Sequence, residues 1–228
     1  MRLPASVLAL AFLATSLPSA ADLDLSRLAA MRQAEPSIAE DLAKAERGDA
    51  KAQFRLGTRY DLGKGTKRDP AAAVRWYRKA AEQGMVDAEV NLGVMYSEGN
   101  GVAKNEAEAV RLFKLAAEAG SFRGQYSLAL MYYYGNGVAR DFKKALELYR
   151  QAARAGNGKA MNNIGIMYGL GEGTTQSDVE AYAWFTVGAE HGDDNAPKNR
   201  DLTAAELTPD QLAKARARAD ALRTLLSN

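Results

Sequence analysis

Apolar residues recur along this chain at the spacing of one helix face, and the whole pattern repeats every 36 residues. In the second copy, Ala88, Leu92 and Tyr96 stand at i, i+4 and i+8, which places them on one face of an α-helix. A Gly-x-Gly follows, and then a second helical stretch that ends in paired alanines. The same landmarks recur in four copies: an opening glycine (Gly48, Gly84, Gly120, Gly156), a small residue (Ala52, Ala88, Gly124, Ala160), an aliphatic residue (Leu56, Leu92, Leu128, Ile164), a tyrosine (Tyr60, Tyr96, Tyr132, Tyr168) and the Gly-x-Gly (Gly63/Gly65, Gly99/Gly101, Gly135/Gly137, Gly171/Gly173).

The residues between the two helical stretches predict where each helix ends and begins. Glycine adopts left-handed backbone conformations without a Cβ clash, so the Gly-x-Gly predicts the end of the first helix. A good N-cap residue precedes every second helix, namely Asp69, Asn105, Asp141 and Ser177 in turn. Glu108 and Glu180 stand three residues after their caps and predict capping boxes. The glycine that opens the next copy predicts the end of the second helix.

A fixed period in this range predicts a stacked array, in which each unit buries its apolar face against its neighbours. We therefore predict an all-α fold, an α-solenoid of helix-turn-helix units. The four units span residues 48–83, 84–119, 120–155 and 156–191, between an N-terminal capping segment over 22–47 and a C-terminal segment over 192–228.

The two ends of the array predict capping helices. Pro36 to Arg47 is amphipathic and corresponds to a lone second helix placed over the first full unit. After Gly192 the repeat pattern fails within one partial helix. Thr208-Pro209-Asp210-Gln211 then combines an N-cap, an N1 proline and a glutamine at N3, and predicts a new helix to about Leu226. Its apolar face consists of Leu212, Ala215, Ala219, Leu222 and Leu226.

The first 21 residues have the composition of a signal peptide. Arg2 precedes an apolar run from Val7 to Leu13, and Ser19-Ala20-Ala21 offers small residues for cleavage before Asp22. The alternative is a membrane anchor, but the run is short and no stop-transfer pattern follows it. We expect export to the bacterial periplasm or the outside of the cell, with no integral membrane segment after signal removal.

Composition narrows the function classes that the sequence supports. The formal net charge is only +2, which gives no reason to expect nucleic acid as a partner. The net charges of the four units alternate as +5, −3, +4 and −3. Thiolate sites and multi-histidine metal sites are excluded, because the chain has no cysteine and its only histidine is His191. We expect no cofactor and no enzymatic activity.

The repeat resembles the Sel1-like repeat family, a relative of the tetratricopeptide repeats. The resemblance rests on two runs of the second copy, Ala88-x3-Leu92-Gly93-x2-Tyr96-x2-Gly99-x-Gly101-Val102 and Ala109-x2-Leu112-Phe113-x2-Ala116-Ala117-Glu118-x-Gly120. It implies a right-handed superhelix of helix pairs and a non-catalytic adaptor that holds a protein or peptide partner, here as part of a cell-envelope complex. Some cysteine-rich members of the family are linked to β-lactam binding or hydrolysis, and this chain lacks their cysteines.

If tetratricopeptide geometry transfers, the first-helix positions that flank the Leu-Gly-x2-Tyr positions of each copy line an inner groove. The third copy stands out because its first helical stretch holds four tyrosines, which combine apolar area with a hydrogen-bonding tip. The alternative is that these residues pack between adjacent first helices. A second function class also stays open, a module that binds cell-wall glycan or peptidoglycan or is related to β-lactams. The candidate groove residues are Phe54, Thr58, Val90, Val94, Tyr126, Leu130, Tyr133, Tyr134, Asn162 and Ile166.

Overall fold

The computed structural model describes residues 36–227, and all of their regular secondary structure is helical. The predicted signal peptide and the first part of the N-terminal capping segment lie outside these residues. The helices of the described part are α1 (Ile38–Glu46), α2 (Ala50–Leu62), α3 (Pro70–Glu82), α4 (Val86–Glu98), α5 (Glu106–Glu118), α6 (Phe122–Tyr134), α7 (Phe142–Arg154), α8 (Gly158–Leu170), α9 (Asp178–Glu190), α10 (Ala196–Glu206) and α11 (Pro209–Leu226).

The helices stack as consecutive pairs, which confirms the predicted all-α solenoid. Helices α2 and α3 pack together, as do α4 and α5, α6 and α7, and α8 and α9. The first helix of each later pair also packs on the second helix of the pair before it. At the ends, α1 packs on α2, and both α10 and α11 pack on α9.

The core follows the repeat. Leu56, Leu92, Leu128 and Ile164 are all buried, and so are the aromatic rings at Tyr77, Phe113, Tyr149 and Phe185. In the second copy, a Cβ on Gly93 would lie 2.6 Å from the ring of Phe113. The missing side chain therefore lets the two helices of the pair approach until the ring covers the glycine.

The glycines that follow the first helices end them as predicted. Gly99 caps α4 in the left-handed conformation, at φ 73°, and its N–H donates to the Met95 carbonyl. Gly101 is also left-handed, at φ 71°, and a Cβ there would collide with the backbone of Pro70 in the preceding pair. The Gly-x-Gly thus both stops the helix and lets this loop lie against the start of α3.

The four predicted N-caps are confirmed, but the predicted capping boxes at Glu108 and Glu180 are wrong. The side chain of Asn105 accepts from the Glu108 N–H, as Ser177 does from the Glu180 N–H. The backbone N–H groups of these two caps already donate to tyrosine carbonyls, those of Tyr96 and Tyr168. The carboxylates of Glu108 and Glu180 are therefore released for arginine partners.

The N-terminal cap contains a buried ion pair that the repeat pattern does not predict. Asp41 in α1 is fully buried and accepts hydrogen bonds from Arg55 at 2.7 Å and Arg59 at 2.9 Å, both in α2. Two guanidinium groups on one carboxylate hold α1 on the first full unit, because an unpaired charge would be costly at this depth.

The C-terminal helix begins and ends as predicted and has the predicted capping box between Thr208 and Gln211. Ala215, Ala219 and Leu222 are buried, and the last two belong to the same apolar cluster as Trp184. Arg218 donates to Glu180 at 2.7 Å, and Arg223 pairs with Glu190 at 2.6 Å. Helix α11 is thus fastened to α9 by an apolar face with ion pairs beside it.

Candidate functional site

The candidate groove residues lie on the four first helices, α2, α4, α6 and α8, but two of them present almost no surface. Val90 is 2% exposed and Asn162 is 6% exposed. Asn162 accepts a hydrogen bond from Asn199 of α10 at 2.9 Å, so it connects the last unit to the C-terminal segment. We therefore assign both residues to packing rather than to partner contact.

Three further candidates make contacts within their own helix pair. The ring of Phe54 packs on Tyr77 with centroids 5.7 Å apart, and Tyr126 packs on Tyr149 at 5.8 Å. The Tyr77 hydroxyl donates to Thr58 at 3.2 Å. These contacts are with the second helix of the same pair, not between adjacent first helices as in the packing alternative, and all three side chains keep partial exposure.

Val94 and Leu130 are also partly buried and pack against the apolar clusters of the array. Val94 lies in α4 and Leu130 in α6. Their role in partner binding stays a prediction.

The tyrosines at the end of α6 divide into a positioned residue and an exposed one. The Tyr133 hydroxyl donates to the Glu172 carboxylate at 2.6 Å, and its ring contacts Phe142 edge-on at 5.3 Å. Burial and this carboxylate together raise the pKa of the Tyr133 hydroxyl well above its ordinary value. Tyr134 is 64% exposed and meets the Tyr133 ring edge-on at 4.9 Å. Tyr133 therefore holds Tyr134 out toward solvent.

A cleft of about 430 Å³ opens between α8 and α10. Ile166 and Phe185 line its apolar interior, while Leu170 and Leu202 stand exposed at its edge. A smaller cleft of about 150 Å³ adjoins it through Ile166 and reaches Tyr133 and Tyr134. The remaining lining residues of the larger cleft are polar: Asp178, Asn199, Thr203 and Glu206, with Gly169.

Sequence reasoning found Ile166 but missed Leu170 and Leu202. Leu170 is the last residue of α8 and stands outside the repeat's apolar positions. Leu202 lies in α10, where the repeat pattern has failed, and its neighbour across the cleft is decided by how α10 packs on α9. The one available signal was a leucine in an otherwise polar helix.

The described residues at the cleft do not form a metal-binding cluster. Within residues 36–227, histidine and carboxylate side chains nowhere gather in threes where a metal ion could be held. His191 lies at the end of α9, with Nδ1 2.8 Å from the Val187 carbonyl oxygen. In the same part of the chain, no helix is long and apolar enough to cross a membrane.

Comparisons with known proteins agree with this geometry. The family model described as "Sel1 repeat" matches residues 50–85, 86–121, 123–157 and 158–193, two or three residues after the boundaries predicted above. No curated protein gives a significant match. A Sel1 repeat protein from Oxalobacter formigenes is similar in structure, with a TM-score of 0.68 and 29% identity over 87% of this chain and 84% of that one.

A second solved structure is a protective antigen present in uropathogenic Escherichia coli strains, which displays an SLR fold. Its TM-score is 0.52 and its identity is 29%, over 80% of this chain and 47% of that one, so the present chain spans about half of the antigen. The four family matches together cover more than half of the chain, and the helix pairs have the same arrangement as these neighbours. The chain therefore belongs to the Sel1 repeat family.

Proposed function

We propose that this protein is a non-catalytic scaffold of the bacterial cell envelope that binds a partner protein or peptide in the α8–α10 cleft. Sel1 repeat proteins are generally scaffolds for protein interactions, which supports the class of function. The observation that carries the site is the pair of exposed leucines, Leu170 and Leu202, at the edge of an apolar cleft. The envelope location rests on the signal peptide predicted from residues 1–21.

The chemistry of the cleft suits a partner segment with an apolar side chain beside a basic one. Ile166 and Phe185 supply a floor into which an apolar anchor would insert, as anchors do at interface hot spots. Asp178 and Glu206 place carboxylates beside that floor, where a lysine or arginine would meet them. Tyr134 extends the surface toward α6.

Photo-crosslinking in the native host tests this site. A photoreactive amino acid at Leu170 is compared with one at Leu62, which stands three repeats earlier at the same position in its helix. Leu62 has a similar exposure, 69% against 62%, but it is not among the residues that line the α8–α10 cleft. We expect a discrete crosslinked partner from position 170 and none from position 62.

Equal capture at both positions would mean that an exposed position crosslinks non-specifically, and would contradict the proposal. Purified cell-wall sacculi provide the second arm. Sacculus binding that depends on Tyr134 and Ile166 would instead favour the glycan-binding module.

A further inference from the structure

The seat of the C-terminal helix is a groove on the second-helix side of the array. We call it the covered groove. Helix α11 lies along it with Leu222, Leu225 and Leu226, leaving a space of about 220 Å³, and Arg218 reaches Glu180 at its side. The Tyr168 hydroxyl accepts a hydrogen bond from Arg150 at 2.8 Å within it. Its residues from the repeats are Arg150, Arg154, Tyr168, Trp184 and, at its side, Glu180.

The same groove occurs 72 residues earlier in the chain, between α3 and α5, and we call it the open groove. The Tyr96 hydroxyl accepts from Arg78 at 2.9 Å, which repeats the Arg150–Tyr168 bond. The open groove encloses a space of about 270 Å³. No helix within residues 36–227 lies along it as α11 lies along the covered groove. The open groove is lined by Arg78, Ala81, Glu82, Glu89, Leu92, Tyr96, Glu108, Arg111, Leu112 and Leu115.

Two side chains in the open groove differ from the residues at the equivalent positions of the covered groove. Leu115 is 40% exposed, whereas Val187, at the equivalent position, is fully buried in the cluster that contains Leu222. Glu89 is only 7% exposed and stands where the covered groove has the apolar Met161.

Glu89 is one of the side chains that line the open groove. It accepts no hydrogen bond or ion pair from residues 36–227, and burial raises its pKa. The nearby Arg111 is engaged elsewhere, since its guanidinium donates to Glu108 at 2.7 and 2.9 Å. The Glu89 oxygens still reach solvent through the groove, so a helix that covers the groove has to bring a cation in place of that water.

We propose that the open groove binds an amphipathic helix of a partner protein, in the manner in which α11 lies in the covered groove. The apolar face of the incoming helix packs on Leu92, Leu112 and Leu115. An arginine or lysine on its edge meets Glu89. This surface is separate from the α8–α10 cleft and does not depend on it.

The surplus of negative charge in the open groove favours a basic partner helix as its occupant. The contacts that hold α11 in place argue against the α11 of a second copy. Three carboxylates against two guanidinium groups line the open groove, and one of those guanidinium groups is neutralised by Glu108. A second copy would have to release α11 from two ion pairs and a buried leucine before offering it. The groove between α5 and α7 has balanced charges, Lys114 and Lys144 against Glu118 and Glu147, and it serves as a control.

The probe is a fluorescently labelled peptide of residues 208–227 that carries Leu222→Arg, so that a helix with the shape of α11 presents a cation. It is titrated by anisotropy onto the mature chain with its own α11 in place. We expect saturable binding that Glu89→Gln weakens about tenfold, as loss of a desolvated charge-assisted contact should. Glu147→Gln in the control groove should change nothing, and circular dichroism checks that each variant is folded.

Absence of saturable binding, or equal affinity for the parent chain and Glu89→Gln, would overturn the proposal. Sedimentation of the chain without peptide provides the remaining arm. A dimer that Glu89→Gln dissociates would make a second copy the occupant, and would overturn the assignment to a partner helix.

Discussion

The covered and open grooves have the same framework and different occupants. Each has an arginine that donates to a tyrosine hydroxyl, Arg150 to Tyr168 and Arg78 to Tyr96, and each has a glutamate paired with arginine. In the covered groove that arginine comes from α11, and in the open groove it comes from the same helix as the glutamate. The period therefore supplies the shape of a groove, and the departures from the period decide what fills it.

The departures follow a spacing of two repeats rather than one. The Phe54–Tyr77 and Tyr126–Tyr149 ring pairs are 72 residues apart, as are the two arginine–tyrosine bonds. The alternating charge of the units has the same spacing. The array is thus better described as two double units, each with one groove of this kind.

The largest expected difference between the grooves concerns their leucines. Leu222→Ala should lower the free energy of unfolding by about 2–5 kcal/mol, because Leu222 on the inward face of α11 is fully buried and its loss leaves a cavity. Leu115→Ala should change it by less than about 0.5 kcal/mol, because that side chain faces solvent. Urea unfolding measures both, and equal losses would contradict the assignment of one groove as covered and the other as open.

A smaller difference is expected from the arginines. Arg218→Ala removes the hydrogen bond that the Glu180 carboxylate accepts from α11. The Glu180 Oε2 atom is already buried without a partner, so the change should cost about 1–2 kcal/mol. Arg111→Ala breaks an i,i+3 pair on an exposed helix face and should cost about 0–1 kcal/mol. Thermal melts of the two variants compare them directly, and a larger loss from Arg111→Ala would reverse the roles given to these residues.

The smallest effect is a pH dependence of opposite sign in the two grooves. A hydrogen bond from Arg223 lowers the pKa of Glu190 below its ordinary 4.5, so this contact stabilises the fold above that pH and is lost as the pH falls through the lowered value. Burial raises the pKa of Glu89, so its charge costs stability at neutral pH and protonation relieves that cost.

Trp184 reports the covered groove. In a Trp76→Phe background, we expect its emission to shift toward that of an exposed indole as the pH falls through the lowered pKa of Glu190. Glu190→Gln should remove that part of the titration. An unchanged titration in Glu190→Gln would show that this ion pair does not hold α11.

The repeat predicted most of the fold because its signals are local. Helix spacing, left-handed glycines and N-caps act within one turn of the chain, and the structure has them where the pattern placed them. The two capping boxes failed because the N–H of each cap already has a tyrosine carbonyl as acceptor, a bond to the preceding helix. The local sequence motif carries no information about that competing hydrogen bond.

The interaction surfaces were only partly predictable, because they depend on contacts between distant segments. Ile166 follows from its position in α8, whereas Leu202 joins the cleft only through the packing of α10 on α9. The apolar face of α11 was evident in the sequence, but its seat beside Trp184 was not. Nothing in the sequence singled out Glu89, which is identified by its burial and its place in the open groove.

Methyl resonances of Leu115 and Val187 test most directly whether the open groove is a second seat for a helix. The two side chains occupy equivalent positions, one in each groove. On titration with the Leu222→Arg peptide, we predict that the Leu115 methyl signals shift and saturate while those of Val187 stay in place. Shifts at Val187 with none at Leu115 would mean that the peptide displaces α11, and would contradict the account.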